Sequence, residues 1–508
     1  MTMDVRAGVA ARRTVAQGVP LYYLSLFEDE IDERLEGFLS AAGSLSGGGM
    51  AQHPFALEPT DAVVIAAHDG TFHVRRGGAS NFPLYWTCVQ KALVLSTTLP
   101  IDSARRLSVS GLLASVAVVS VANQNEPNLS ECTPLAGWFR CRRGAVTHLS
   151  APAGSLSERP VDFASGEVVA LDRGRLIAAL RSAAGAFGER QAIRPRALLE
   201  LSGGFDSTIA AVGARAHGVD LFGVSESMPF YEFRFEEGIQ DSVANILGIT
   251  RVCIDGTKHF VYAPTDWRPR LDEPSIGVLR LKRDLTVARV ALQEGIDRII
   301  VGHGGDQLFA EELLDRERSP RPLNPGAFSD AAWRRIQRTV ETARLDPLMK
   351  RSTLTFSHSS QFDVAFKEKF GITTRSPFTD VAWIRCGLAW ARLSDRSGPD
   401  KTILAEAFAS DLPEAVTHRR GKVPWDGVTS RGYAAHKDHI LAELDRGHAP
   451  LERIGFNLRW LHRRVQQLAD GTKSTSDRDD KEIIASYALA HWLNSWGIVD
   501  ASDCFWAE

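Results

Sequence analysis

Leu198-Leu199-Glu200-Leu201-Ser202-Gly203-Gly204-Phe205-Asp206-Ser207-Thr208 is an apolar run that ends in a hydroxyl, two glycines, a carboxylate and two more hydroxyls. The apolar half predicts a buried strand over Ala197–Leu201, and the remainder a turn opening a helix over Thr208–Gly218. Gly203 and Gly204 carry no side chain, so the backbone can turn tightly and aim N–H groups at an anion. Ser202, Ser207 and Thr208 add hydroxyl donors at the mouth of the helix. The segment reads as a phosphate-handling loop. It is not the Walker loop, because no Gly-Lys-Ser/Thr follows at the required spacing.

The surrounding chain predicts the frame that holds this loop. Strands over Ala197–Leu201, Leu221–Ser225, Thr250–Ile254 and Arg298–Val301 are separated by helices over Thr208–Gly218, Glu236–Leu247 and Lys282–Glu294. That alternation predicts an α/β fold: a parallel sheet with helices on both faces and ligands at the carboxyl ends of its strands. Leu171–Phe187 has helical periodicity and leads into the first strand, while Asp330 to Trp506 reads as mainly helical. Residues 1–150 instead alternate short apolar runs with turn signals, at Ala62–Ala67, Phe72–Val74, Val89–Leu95 and Leu112–Val121, which suits a β-rich domain with a few helices. Ser44–Gly49 reads as a flexible loop, and Ala151–Gly166, rich in Pro, Ser and Gly, as a linker. The expected division is 1–165 and 166–508.

With 508 residues and 44% hydrophobic content, the chain is long enough for two or more domains with full cores. A net charge of −3 gives no global argument for nucleic acid or an anionic membrane. The six cysteines form no Cys-x-x-Cys pair and no His cluster has zinc spacing, which fits reduced thiols. No stretch reaches membrane-spanning length, so the expected location is the cytoplasm.

A second glycine-rich turn, Gly302-His303-Gly304-Gly305-Asp306-Gln307-Leu308-Phe309, follows the strand ending at Val301. Asp306 stands past its strand as Asp206 does. Two carboxylates facing a triphosphate make sense as Mg²⁺ ligands, because the ion keeps several waters and takes only one or two protein carboxylates.

Ser202-Gly203-Gly204-Phe205-Asp206-Ser207 resembles the Ser-Gly-Gly-X-Asp-Ser loop of the ATP-pyrophosphatases, and Gly302–Phe309 resembles the Gly-x-Gly-x-Asp-x-x-Phe segment of the asparagine synthetase superfamily. Asp400-Lys401-x-x-Leu404, Leu412-Pro413-x-x-Val416 and Arg420-Gly421-Lys422 agree with it. The resemblance implies cleavage of ATP between its α- and β-phosphates. Ser202, Gly203, Gly204, Asp206, Ser207, Gly302 and Gly304 would cradle the nucleotide, the backbone near Leu201, Val224 and Ser225 would hold adenine, and Asp206 and Asp306 would hold Mg²⁺. Lys422 would approach the reacting centre and stabilise charge on the tetrahedral intermediate. The family spaces this last segment one residue tighter, which leaves its arginine as either Arg419 or Arg420.

Asparagine synthetases begin with a glutamine-hydrolysing cysteine. Here the chain begins Met1-Thr2-Met3-Asp4, and the family's Arg-Gly-Pro-Asp and Asn-Gly-Glu segments are missing. Phe82-Pro83-Leu84-Tyr85 and Ala136-Gly137-Trp138-Phe139 retain echoes. The resemblance thus implies a degenerate glutaminase-like domain of the N-terminal-nucleophile type, followed by an ATP-pyrophosphatase domain with a helical C-terminal part. It also implies an amine other than ammonia.

Superfamily members lacking the cysteine include β-lactam synthetases and the lasso peptide cyclases, both of which join a carboxylate and an amine of one substrate. His303 stands where the β-lactam synthetases have a tyrosine, and either accepts the amine proton or shapes the turn. Asp272-Glu273-Pro274-Ser275 and Leu458–Arg464 are more similar to the cyclases. Asp272 and Glu273 either orient the amine or form a turn. Arg459, Arg463 and Arg464 share one side of a predicted helix, as a solvated face or a contact for an acidic peptide. The implied activity is that of an ATP- and Mg²⁺-dependent lasso peptide cyclase (macrolactam synthetase). Its substrate would be a precursor peptide and its partners a leader-peptide protease and a leader-recognition protein, with no nucleic acid or membrane. The alternatives are a β-lactam synthetase or other small-molecule amide ligase, and a non-catalytic nucleotide-binding scaffold.

Overall fold

A computed structural model describes residues 2–4, 10–16, 19–25, 62–68, 71–76, 83–89, 92–104, 106–122, 131–141, 145–150, 155–160, 171–230, 234–310, 323–342, 360–393, 401–417, 426–472 and 480–507. The strand before the first glycine turn, β1 (Arg196–Glu200), lies in the middle of a five-stranded parallel sheet. On one side stand β2 (Asp220–Ser227) and β3 (Thr250–Asp255), and on the other β4 (Arg298–Ile300) and β5 (Thr373–Arg375), in the order β3-β2-β1-β4-β5.

Side chains alternate across a strand, and β1 is apolar on both faces because both are covered. Leu198 joins Phe222, Val224, Ile254 and Ile299 under α4 (Leu281–Gln293). Leu199 joins Leu221 and Ile300 on the opposite face. There it meets α1 (Arg173–Ala192), α2 (Phe205–Ala216), α3 (Arg234–Leu247) and α6 (Val381–Leu393), α5 being the short helix Gly305–Phe309. Leaving water contributes about 1.5–3 kcal/mol for each such leucine, which fixes the sheet and the strand ends that carry the loops.

Two elements depart from the expected layout. β5 lies in a stretch read as helical, because Thr-Thr-Arg offers no apolar run and its three residues are only partly buried. Ser155–Pro160, inside the expected linker, is a strand paired antiparallel with Ala145–Ser150. It forms one edge of a six-stranded antiparallel sheet, where backbone pairing suffices and Pro160 is tolerated at the strand's end. Val89–Leu95, read as one run, divides into the antiparallel strands Tyr85–Val89 and Ala92–Ser96. The loop 44–49 lies outside the described residues.

The helix Val109–Ala122 packs against Asp330–Thr342 and Lys481–Ser495, and its Leu112, Leu113 and Val116 share one core with Leu489 and Trp492. On the same helix Gly111 lets the backbone at Thr133 approach closely, since a Cβ there would stand 1.8 Å from the Thr133 carbonyl oxygen. The chain's last strand, Phe505–Ala507, pairs in parallel with Arg106–Ser108. No helix among the described residues is long and apolar enough to cross a membrane.

The helix Lys481–Ser495 buries His491 beside Tyr487. Burial pushes its pKa down to about 4; Glu443 opposes the shift, and Arg268 and His439 reinforce it. The folded protein therefore holds the ring neutral while the unfolded chain takes a proton at higher pH. Its contribution is present above pH 6.5 and is lost as the pH falls toward 4, roughly 3 kcal/mol in all. Urea titrations across that interval should show the loss, and His491→Gln should flatten it relative to the wild type.

Candidate functional site

The order β3-β2-β1-β4-β5 makes the chain leave β1 toward one edge of the sheet and return to build the other half. The carboxyl ends of β1 and β4, neighbours in space, therefore stand where the strand order reverses, the point at which α/β sheets leave a crevice for ligands. Both glycine-rich turns open onto it.

After β1, the Leu201 N–H donates to the Val224 carbonyl at 2.8 Å, and Ser225 Oγ donates to the Leu201 carbonyl at 2.7 Å. Leu201, Val224 and Ser225 thus extend the sheet by one step and fix where the turn begins. Gly203 takes a left-handed φ of 72°, which favours glycine. Gly204 caps α2. Ser207 and Thr208 are buried and brace the turn: Thr208 Oγ1 donates to the Gly204 carbonyl at 2.8 Å, and the Ser207 and Ser202 hydroxyls lie 3.0 Å apart. Ser202 alone of the three is exposed to the crevice mouth. Glu200, at the end of β1, would repel a phosphate, but the Arg283 guanidinium from α4 lies 2.6 Å from its Oε2 and offsets that charge.

After β4, the Val301 N–H donates to the Arg375 carbonyl at 2.8 Å, and the His303 carbonyl accepts from Ser376 Oγ. Gly304 is left-handed, with φ 98°, and caps α5. The other two glycines of this turn are required by the first loop. A Cβ on Gly302 would lie 2.5 Å from the Ser207 nitrogen, and one on Gly305 would lie 2.3 Å from Asp206 Cγ. The two loops are pressed together, and Asp206 occupies the space a side chain at 305 would take.

Between the two carboxylates lies Lys401. It precedes α7 (Thr402–Ala407) with a left-handed backbone, φ 61° and ψ 24°, and is only 6% exposed. Its Nζ is 2.6 and 2.7 Å from the two Asp206 carboxylate oxygens and 2.5 Å from Asp306 Oδ1. Burial alone would lower the pKa of this lysine, but the charges of Asp206 and Asp306 outweigh it and hold the pKa above its ordinary value. The folded protein keeps a charged ammonium there. A non-glycine residue in the left-handed region costs energy, and such strain gathers at functional sites.

Compared with models of known protein families and with curated proteins, the chain matches none.

Asp206, Ser207, Gly302, Gly304 and Asp306 are thus brought into one crevice with Ser202, Gly203 and Gly204. Lys422, with Arg419 and Arg420, lies outside the described residues, as does Phe82. Asp272 and Glu273 do not face the crevice: each is 1% exposed, Asp272 accepting from Thr98 Oγ1 at 2.9 Å and Glu273 paired with Arg140. They tie Thr98 and Arg140 to the turn before Pro274. The three arginines of Leu458–Ala469 do not share a side. Arg459 and Arg463 are exposed, while Arg464 is buried at 8%, since five residues turn a helix well past one full circle.

Lys401 belongs to the stretch Asp400-Lys401-x-x-Leu404, to which the sequence attaches no role for the lysine. A lysine in a polar stretch has no local feature marking it as buried; only the left-handed turn before Ile403 and Leu404, both fully buried, carries it inward. Among the described residues no three His, Cys, Asp or Glu side chains converge as a closed metal cage requires. Two carboxylates already gathered around one cationic atom do fit Mg²⁺, which completes its shell with water and phosphate oxygens.

Proposed function

We propose that the protein is an ATP-dependent macrolactam synthetase, a lasso peptide cyclase of the asparagine synthetase superfamily. The observation that carries this reading is the convergence of Asp206 and Asp306, from the turns after two adjacent parallel strands, on a single cation position. Ligands of α/β sheets bind where the strand order reverses, and these turns flank that point.

ATP binds across Ser202–Ser207 and the turn 302–306, with adenine toward Leu201, Val224 and Ser225. Asp206 and Asp306 hold Mg²⁺, which when bound neutralises charge on the phosphates. A carboxylate oxygen of a precursor Asp or Glu side chain attacks the α-phosphorus, the bond to the bridging oxygen breaks, and pyrophosphate leaves. The peptide's N-terminal amine then attacks the acyl carbon. The C–O bond to AMP breaks, and the amine proton passes to a base, for which we assign His303. Lys422 stabilises charge on the tetrahedral intermediate. Holding amine and acyl group in contact supplies much of the rate as effective molarity. The front part, 1–165, serves as a degenerate glutaminase-like domain, and the protein works in the cytoplasm with a leader-peptide protease and a leader-recognition protein.

Incubating a precursor peptide with those two partners, the protein and Mg·ATP should yield a core peptide one water lighter, with AMP and pyrophosphate released in equal amounts. Amide formation on a small amino acid derivative, with none on the peptide, would replace this reading with that of a small-molecule ligase. Absence of pyrophosphate release with any carboxylate would replace it with that of a nucleotide-binding scaffold.

A further inference from the structure

The strongest physical feature of the crevice is that its cation position is already filled by the protein itself. We infer that Lys401 is an internal counter-ion, displaced when a divalent metal arrives with its phosphate and then partnered by that phosphate. The inference rests on the assignment of Asp206 and Asp306 to a metal, and needs nothing about the peptide or its ring.

The geometry supports exchange over sharing. The Lys401 ammonium lies 2.5 to 2.7 Å from three carboxylate oxygens of Asp206 and Asp306. A Mg²⁺ ion sits about 2.0–2.1 Å from its oxygens, so an ion bridging the same two carboxylates would overlap the lysine nitrogen. Space for sideways adjustment of Asp206 is small, because its carboxylate already fills the volume facing Gly305. The lysine can move more readily, because its charge ends a flexible four-carbon stem.

Charge completes the case. Two carboxylates and one ammonium leave the cluster at −1; a divalent ion added beside an unmoved ammonium would bring it to +1. An arriving polyphosphate removes that excess and gives the ammonium a new anionic partner. Free metal therefore competes with Lys401, while metal accompanied by phosphate recruits it. The buried lysine makes metal binding conditional on the nucleotide.

The test uses the full chain without peptide, reading bound Mn²⁺ by electron paramagnetic resonance and inorganic pyrophosphate by calorimetry in the presence of Mg²⁺. Lys401→Met removes the charge, and Lys401→Gln removes it while keeping a donor between the carboxylates, so folding does not depend on leaving both carboxylates without one. Folding is checked by circular dichroism. Either variant should bind Mn²⁺ alone at least about tenfold more tightly than wild type and pyrophosphate at least about tenfold more weakly. Unchanged or weaker Mn²⁺ binding in a folded variant overturns the inference, and if Asp206→Asn still abolishes Mn²⁺ binding, the metal assignment survives that failure. Mn²⁺ binding unaffected by Asp206→Asn and Asp306→Asn overturns both. Wild-type protein that binds Mn²⁺ as tightly without pyrophosphate as with it overturns the inference with no variant at all.

Discussion

Asp206→Asn and Asp306→Asn are each expected to reduce substrate-dependent ATP–pyrophosphate exchange by roughly a hundredfold to a thousandfold, the scale on which removal of one aligned electrostatic partner of a transition state is felt. The substitution keeps shape and one oxygen acceptor for the Lys401 ammonium, which both carboxylates approach closely. It removes the charge and turns one acceptor oxygen into an N–H donor. Exchange reports the adenylation half-reaction, so the result is independent of whether the ring closes. Circular dichroism should be unchanged, because neither carboxylate belongs to the hydrophobic cores on the two faces of the sheet. Full exchange activity in either variant would show that its carboxylate is not a metal ligand.

Arg140→Met should destabilise the protein by about 3–5 kcal/mol, the cost of leaving one member of a buried ion pair without its partner. Arg140 Nε donates to Glu273 Oε1 at 2.9 Å and its terminal nitrogen to Oε2, a two-point contact with side-chain exposures of 4% and 1%. Loss of the guanidinium leaves Glu273 buried, with its own N–H still tied to Gln361 Oε1 at 3.0 Å. The adjacent Leu271 carbonyl accepts from both Trp492 and Trp496, so tryptophan fluorescence during urea unfolding follows this region directly. The double variant Arg140→Met/Glu273→Leu should recover most of the loss, since apolar side chains of similar volume often replace a buried pair at little cost. A loss under about 1 kcal/mol in the single variant would mean that water reaches the pair.

The parallel sheet was legible because β1, β2 and β4 are short apolar runs, whose burial on both faces writes itself into the sequence, within a strand–helix alternation that also places β3, an edge strand with only Ile254 buried. β5 was not, because Thr373, Thr374 and Arg375 are admitted by backbone pairing with Arg298–Ile300 and not by hydrophobicity. The strand Ser155–Pro160 was hidden for the same reason. Within the crevice, the glycines and aspartates could be read because their turn chemistry is local. The reasons for Gly302 and Gly305 could not, since both answer to Asp206 on another loop. Asp272 and Glu273 looked like site residues because carboxylates beside a proline invite that reading; their distant partners Thr98 and Arg140 are invisible in sequence. Lys401 has the same difficulty in its strongest form.

Its bond to Asp206 spans 195 positions of chain, and this separation bears on how the molecule assembles. No piece of the polypeptide ending before Lys401 contains all three charges, and the first two meet only after β4 has docked beside β1. Closing a loop of that length costs entropy that must be met before the contact returns anything. Without Lys401, Asp206 and Asp306 would face each other as like charges beside the sheet. The three charges are therefore complete only when segments 195 positions apart have met, and a ligand that uses all three would bind that assembled arrangement and not its separate parts.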